Sequence, residues 1–120
     1  MKTRSLVLPV KGHYYYSALH AYNIGLLQPE TPIKLIPEPD NQQDRRAVQI
    51  WLTHFPCWLL GYVPRRKARF IGYLLEHDLI QNPTLHNTRY RNQRLKLQLR
   101  LDYALPWKLR LDYWLRLLGF

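Results

Sequence analysis

The chain has 120 residues, which is enough for one ordinary domain and too few for two. Hydrophobic residues make up 47% and charged residues 22%, a balance that excludes an intrinsically disordered chain. Eighteen Lys and Arg against eight Asp and Glu give a net charge of +10, which favours polyanionic partners. Charge alone does not distinguish DNA from RNA or from an anionic membrane surface.

The first half of the chain is predicted to consist of short strands separated by turns. Apolar runs over 5–10 and 33–36 predict strands, and the segments 46–53 and 57–63 predict an antiparallel hairpin. A short helix is predicted over 17–27, where apolar residues recur at helical spacing. The one cysteine, Cys57, excludes an internal disulfide and a multi-cysteine zinc site, and its apolar neighbours predict a small buried side chain.

The second half contains the clearest patterns. Pro64 is expected to open a helix that ends near residues 77–78, because a proline in the first turn loses no hydrogen bond. Residues 94–103 alternate apolar with polar side chains and predict a strand with one buried face and one basic, solvated face. The pentapeptide Leu-Arg-Leu-Asp-Tyr occurs at 99–103 and again at 109–113, which fits either a paired hairpin or coincidence.

These elements predict the fold class and the cellular location. Many short strands and one well-defined helix indicate a mainly β (α+β) domain, a small OB-like, partly open β-barrel with one packed helix. The longest apolar stretch, residues 55–60, is too short to span a bilayer, and the N-terminus lacks the length of a secretory signal. We therefore expect a cytoplasmic protein with no membrane contact.

Four segments carry a resemblance to a known family. They are Gly12-His-Tyr-Tyr-Tyr16, Glu38-Pro-Asp-Asn-Gln-Gln-Asp44, Ala47-Val48 and Gly61-Tyr-Val-Pro-Arg65. In order and separation they resemble the HIRAN domain over about residues 6–103, which leaves 104–120 as an apolar and basic extension, expected to form a strand or a short helix. The resemblance implies an OB-like barrel that binds nucleic acid and holds the 3′ end of single-stranded DNA.

The candidate nucleic-acid-binding residues are Tyr14, Tyr15, Tyr16, Asp40, Asn41, Asp44, Tyr62, Arg65, Arg66 and Lys67. A run of tyrosines offers rings on which bases of any sequence can stack. The alternative is that these rings pack in the core or at its rim. The resemblance places Tyr15 and Tyr16 at the terminal nucleotides.

The acidic turn and the helix that follows Pro64 supply the polar candidates. Asp44 is either a turn aspartate that accepts backbone N–H groups or a carboxylate that accepts a free 3′-OH and repels a further phosphate. Arg65 lies at a helix start, where N–H groups and a guanidinium suit a phosphate, and a solvated basic face is the alternative. A second basic run comprises Arg89, Arg91, Arg94, Lys96 and Arg100. On the predicted strand, Arg94, Lys96 and Arg100 share one side, which either follows a phosphate backbone or is the solvated face of a sheet.

Residues with catalytic or metal-binding spacing are scarce. The histidines include no pair at metal-ligand spacing, and there is no nucleophile elbow or glycine-rich phosphate loop. We expect a monomeric binding module, not an enzyme, with no catalytic residue, metal or cofactor. The leading hypothesis is capture of single-stranded DNA or DNA 3′ ends in DNA repair or replication-fork processing. The alternatives are an adaptor whose apolar C-terminal tail binds a helicase or nuclease, and an RNA binder.

Overall fold

The structure is a computed structural model that describes residues 2–12, 18–54 and 57–119. Within these ranges the strands form two antiparallel three-stranded sheets, with a long helix packed against them. The elements in chain order are β1 (Arg4–Pro9), α1 (Ala18–Asn23), β2 (Ile33–Pro37), β3 (Val48–Leu52), β4 (Leu59–Tyr62), α2 (Arg65–Glu76), β5 (Ile80–Arg91), β6 (Arg94–Tyr103) and α3 (Trp107–Leu117). The predicted mainly β class with a packed helix is confirmed.

The two sheets together make a barrel that is not closed by continuous pairing. One sheet has the order β1-β6-β5 and the other the order β2-β3-β4. Isolated bridges join them at two points, between Lys11 and Tyr62 and between Pro32 and Thr84. Within the described ranges the sheets are joined by these bridges and a few neighbouring backbone bonds, not by a continuous ladder, so the barrel stays partly open.

The central strand β6 supplies much of the core. The predicted alternation is observed, with Leu95, Leu97, Leu99 and Leu101 buried while the intervening polar residues are half-buried or exposed. Leu99 lies directly opposite Leu8 of β1 and Leu85 of β5, so one row of leucines crosses the sheet.

The predicted helix after Pro64 is also observed. Pro64 is the N-cap residue of α2, which ends at Glu76, close to the expected end. Its apolar stripe turns inward, and Ala68, Ile71 and Leu74 are buried at 1% exposure or less. The helix predicted over 17–27 is shorter in the structure, because α1 ends at Asn23 and Gly25 follows with a φ of 81°. A left-handed glycine at that position is a common way to end a helix.

Two expectations are corrected by the structure, and one strand was not expected. The side chain of Cys57 is exposed, not buried, because Cys57 lies before β4 begins; its sulfur is 3.6 Å from the carbonyl oxygen of Thr53. The second copy of the repeated pentapeptide, residues 109–113, lies within helix α3, so the paired-hairpin alternative is wrong. Finally, β5 was not predicted at all, although it is twelve residues long. Among the described residues, no helix is long and apolar enough to span a bilayer.

Candidate nucleic-acid interface

The acidic turn between β2 and β3 is held by its own side chains. The Oδ1 atom of Asn41 accepts the backbone N–H groups of Gln43 at 2.9 Å and of Asp44 at 3.1 Å. The Oδ1 atom of Asp44 accepts the N–H of Arg46 at 3.0 Å. Asp44 therefore has the turn role that was one of its two predicted roles, and its second oxygen, Oδ2, is directed elsewhere.

That second oxygen faces the start of α2. The Nε atom of Arg65 lies 3.6 Å from Asp44 Oδ2, and its Nη2 donates a 3.0 Å hydrogen bond to the carbonyl oxygen of Gln43. The Arg65 side chain is 78% exposed and that of Asp44 is 24% exposed. An ion pair this accessible contributes only about 0–1 kcal/mol, so a phosphate can compete for Arg65. Two residues that are 21 positions apart in sequence thus share one surface.

Tyr62 is fixed next to this turn by a polar network on the outer face of the second sheet. Its hydroxyl donates a 2.7 Å hydrogen bond to Glu38 Oε2, and the same oxygen accepts the side-chain amide of Gln49. The indole N–H of Trp51 donates to Gln49 Oε1 at 3.0 Å. The network joins the ends of three strands and orients the Tyr62 ring.

Glu38, Gln49 and Trp51 were not among the predicted site residues. The signal that identifies two of them is the alternation along β3, since Gln49 and Trp51 are two residues apart and must share the face opposite buried Ile50. Gln49 is also the cross-strand partner of Tyr62. Glu38 belongs to the motif that carries the family resemblance, and its role becomes apparent only from its hydrogen bond with Tyr62.

The backbone of Tyr62 connects this surface to the N-terminal part of the chain. The N–H and carbonyl of Tyr62 each make a 2.8 Å hydrogen bond with Lys11. Gly12 follows with a φ of 71°, a left-handed conformation that favours glycine. The predicted ring platform, Tyr14, Tyr15 and Tyr16, begins two residues later and lies outside the described residues.

The remaining candidates surround the pair of Asp44 and Arg65. Asp40 and Arg66 are exposed, and Lys67 is half-buried in the first turn of α2. The first turn of α2 contains no acidic residue, and Pro64 provides no side-chain cap. Cations at a helix N-terminus are unfavourable toward the helix dipole, so an anion bound there is stabilised by both the N–H groups and the basic side chains.

The C-terminal helix packs against α2, with Tyr113 against Tyr73. The buried Tyr73 hydroxyl donates a 2.6 Å hydrogen bond to Asp112 Oδ2 and lies 3.0 Å from the carbonyl oxygen of Leu109. Burial, together with the nearby carboxylate of Asp112, raises the pKa of Tyr73 to about 12. Arg116 adds ion pairs with Glu76 at 3.2 Å and with Asp112 at 3.1 Å. The extension is therefore docked onto the domain.

No metal-binding cluster is present in the described ranges, where no three His, Cys, Asp or Glu side chains come together in a way that could hold an ion. The pair of Asp44 and Arg65, the Tyr62 network and the basic first turn of α2 together suit an anionic polymer better than a small substrate. The arrangement offers a carboxylate for a hydroxyl group and cations for a phosphate, within one hydrogen-bonded surface.

Known proteins share the fold of this chain. A family model described as the HIRAN domain matches residues 3–105. The fold is similar to a crystal structure of a protein from Lactobacillus plantarum, with a TM-score of 0.62, 18% identity, and coverage of 86% of this chain and 100% of that chain. It is also similar to the crystal structure of the HIRAN domain of human HLTF, with a TM-score of 0.61, 19% identity, and coverage of 82% and 74%. No curated protein sequence matches.

Proposed function

Because the chain belongs to the HIRAN domain family, which is known as a DNA-binding module, we propose that it captures single-stranded DNA by its 3′ end. The observation that carries the proposal is the 3.6 Å approach of Arg65 to Asp44 on an exposed surface. A cation and an anion side by side match the two groups of a strand terminus, a phosphate and a free hydroxyl. DNA repair and replication-fork processing are the settings in which such ends arise.

In the proposed recognition, Arg65 and Asp44 each bind a different group of the strand end. Arg65 leaves its weak ion pair and binds the last phosphodiester, for which its planar guanidinium offers two parallel donors. Asp44 keeps its Oδ1 bond to the turn, and its freed Oδ2 accepts the hydrogen of the terminal 3′-OH. A strand that continues through another phosphate would place a negative charge against this carboxylate and is excluded.

The other candidates support the terminal nucleotides. By the family resemblance we assign Tyr15 and Tyr16 to base stacking, with Tyr14 beside them, and each stacked base is worth about 1–3 kcal/mol. Tyr62, oriented by Glu38, supports a sugar or base. Asn41 and Asp40 line the turn, and Arg66 and Lys67 add positive charge at the start of α2. None of these roles needs a metal or a catalytic group, so the proposed module binds the DNA end without catalysing a reaction.

Fluorescence anisotropy with three labelled ligands tests the proposal. The ligands are a single strand ending in a 3′-OH, the same strand ending in a 3′-phosphate, and a blunt duplex. We expect tightest binding to the free hydroxyl end and a decrease in log affinity with log salt of about 0.7 per phosphate contacted. Equal affinity for the three ligands would remove end recognition. A matched RNA strand in the same assay tests the RNA alternative.

A second candidate function rests on the exposed face of α3. Trp107, Leu111, Trp114 and Leu118 recur at helical spacing, and the two tryptophans are 70% and 61% exposed. A tail that is docked through Tyr73 but presents these side chains outward suits a helicase or nuclease partner with an apolar groove. Trp114→Ser should abolish such an interaction while leaving DNA affinity unchanged, whereas loss of DNA affinity would contradict the separation of the two surfaces.

A further inference from the structure

The hairpin formed by β5 and β6 places four cations on one face near its tip. Arg89 lies directly opposite Lys96, and Arg91 lies directly opposite Arg94. All four side chains are exposed. Directly opposed like charges destabilise a strand pair, so repulsion among these four side chains lowers the stability of this end of the hairpin. A bound polyanion removes that repulsion.

The four cations have no anionic partner within the part of the chain that the structure describes. The ion pairs found there involve only Arg65, Arg100 and Arg116 as cations. Arg100 is instructive because it lies on the same strand and the same predicted face as Arg94 and Lys96. It is 3.8 Å from Asp102 Oδ1 and donates to the hydroxyl of Ser5 at 3.2 Å. The structure thus separates Arg100, which is neutralised internally, from the cations near the tip.

A cleft of about 1030 Å³ runs beside this end of β6. The cleft exists because β1 leaves β6 after the pair of Pro9 and Gln98 and one further backbone bond, from the N–H of Val10 to the carbonyl oxygen of Leu97. The chain then moves across to Tyr62 through Lys11. The charged residues of its described lining are Lys11, Arg89, Arg94 and Lys96, and no acidic residue is among the lining residues that the structure describes. A groove lined by one sign of charge concentrates counter-ions of the opposite sign.

The cleft also contains an aromatic ring in a fixed orientation. Tyr90 is 43% exposed, and its ring stacks on Tyr22 with centroids 5.5 Å apart. Tyr90 faces the same side as Leu95, its cross-strand partner, at the end of the apolar face and opposite the cations. The cleft lies along an edge of the sheet, because side chains of both faces of β6 line it. An exposed ring that is braced from behind by a second ring provides a stacking surface for a base.

Lys11 links the cleft to the strand end that carries Tyr62. Lys11 is part of the cleft lining, and its backbone makes both 2.8 Å hydrogen bonds with Tyr62. A strand whose terminus lies between Asp44 and Arg65 can therefore continue past Tyr62 and Lys11 toward the hairpin without crossing an acidic surface of the cleft.

We propose that this cleft is a second subsite that binds the phosphodiester backbone of single-stranded DNA on the 5′ side of the captured terminus. The inference rests on the proposed function, since it assigns a path to the rest of the same strand. Arg89, Arg94 and Lys96 bind phosphates, and Tyr90 stacks with one base. The subsite adds affinity in proportion to strand length and makes no distinction between kinds of end.

The test compares oligothymidines of about 4 and about 12 nucleotides, lengths within the range of sites that OB-like folds cover. Each length is made with a 3′-OH and with a 3′-phosphate. The proteins are the unmodified chain, the triple variant Arg89→Ala/Arg94→Ala/Lys96→Ala, and Arg100→Ala as the matched control. For the unmodified chain we expect the longer strand to bind at least tenfold more tightly. In the triple variant the ratio should approach one. Its salt slope for the longer strand should fall by about 2, because each phosphate that is no longer neutralised lowers the slope by about 0.7.

Two control results and two contrary outcomes decide the inference. The triple variant should melt at the same or a higher temperature, because the substitutions remove like-charge repulsion, and Arg100→Ala should keep the length effect. If the triple variant retains the length effect and the salt slope while the hydroxyl end is still preferred, the subsite is refuted and end capture stands. If the length effect is lost but the unmodified chain never prefers the hydroxyl end, end capture is refuted and the cleft stands.

Discussion

Replacing Asp44 with Asn should separate the two roles of this carboxylate. Asn keeps an oxygen that can accept the N–H of Arg46 but removes the charge that faces Arg65. Because the ion pair is exposed, its loss should lower the free energy of unfolding by no more than about 1 kcal/mol. Asp44→Ala also removes the bond to the turn, which should cost about a further 1 kcal/mol. Both variants should therefore fold and be suitable for binding measurements.

The effect on binding is expected to be larger and confined to one ligand. A unit charge about 5 Å from a phosphate charge is repelled by about 3 kcal/mol at an effective dielectric constant of about 20. Solvent at this partly exposed side chain reduces the repulsion to about 1.4 kcal/mol, which corresponds to a tenfold preference for the 3′-OH. Asp44→Asn should bind the 3′-phosphate strand about tenfold more tightly than the unmodified chain does, with little change for the 3′-OH strand.

Anisotropy titrations of both strands at one fixed salt concentration measure this difference. Glu30→Gln is the matched control, because Glu30 is an exposed carboxylate outside the candidate site. If Asp44→Asn keeps the hydroxyl preference, Asp44 does not read the end. If Glu30→Gln loses the preference equally, the effect is one of net charge and the geometric reasoning is refuted.

Three other predictions concern affinity, pH dependence and the core. Arg65→Ala should weaken binding to every strand and reduce the salt slope by about 0.7. The free energy of unfolding should change by less than about 1 kcal/mol. An unchanged affinity would contradict the proposed role of Arg65. The pKa of Tyr73 is about 12 in the folded protein against an ordinary value of 10, so its contribution to stability is complete below pH 10 and is lost as the pH rises toward 12. Melting temperatures between about pH 8 and 12 should show this loss, and Tyr73→Phe should show a shallower one; identical slopes would remove the assignment. Leu99→Ala should lower the free energy of unfolding by about 3–5 kcal/mol in urea titrations, and a decrease below about 1 kcal/mol would mean that the leucine row is not central to the core.

The elements that the sequence predicted are those whose pattern matches a single secondary structure. Residues 94–103 alternate without interruption, and the strand formed there has the predicted buried face. Pro64 and the apolar stripe after it located α2 to within two residues. The family motif likewise indicated that the acidic turn and Arg65 belong to one domain, but their separation of 3.6 Å follows only from the packing of α2 beside that turn.

Strand β5 had no such pattern. Pro83 interrupts it, Asn82 has a φ of 50°, and the pairing register shifts twice along its length. Each irregularity disrupts the two-residue period, and Leu85 is the strand's one buried residue. This polar strand is held in place by pairing with β6. That pairing is a long-range interaction, which the order of apolar and polar residues within the strand does not predict. The opposed cations near the hairpin tip could be recognised only once that pairing was known.

The repeated pentapeptide shows most directly where local sequence stops deciding structure. At 99–103, Leu-Arg-Leu-Asp-Tyr is extended between β1 and β5, which satisfy its backbone on both sides and bury Leu99 and Leu101. At 109–113 the same five residues follow Pro106, the N-cap of α3, and are helical, with Asp112 and Tyr113 against Tyr73 of α2. The sequence by itself determined that both copies are amphipathic. Tertiary structure decided whether each copy is a strand or a helix. Neighbouring strands supply backbone partners to the first copy, whereas the second copy must form its backbone hydrogen bonds within its own helix.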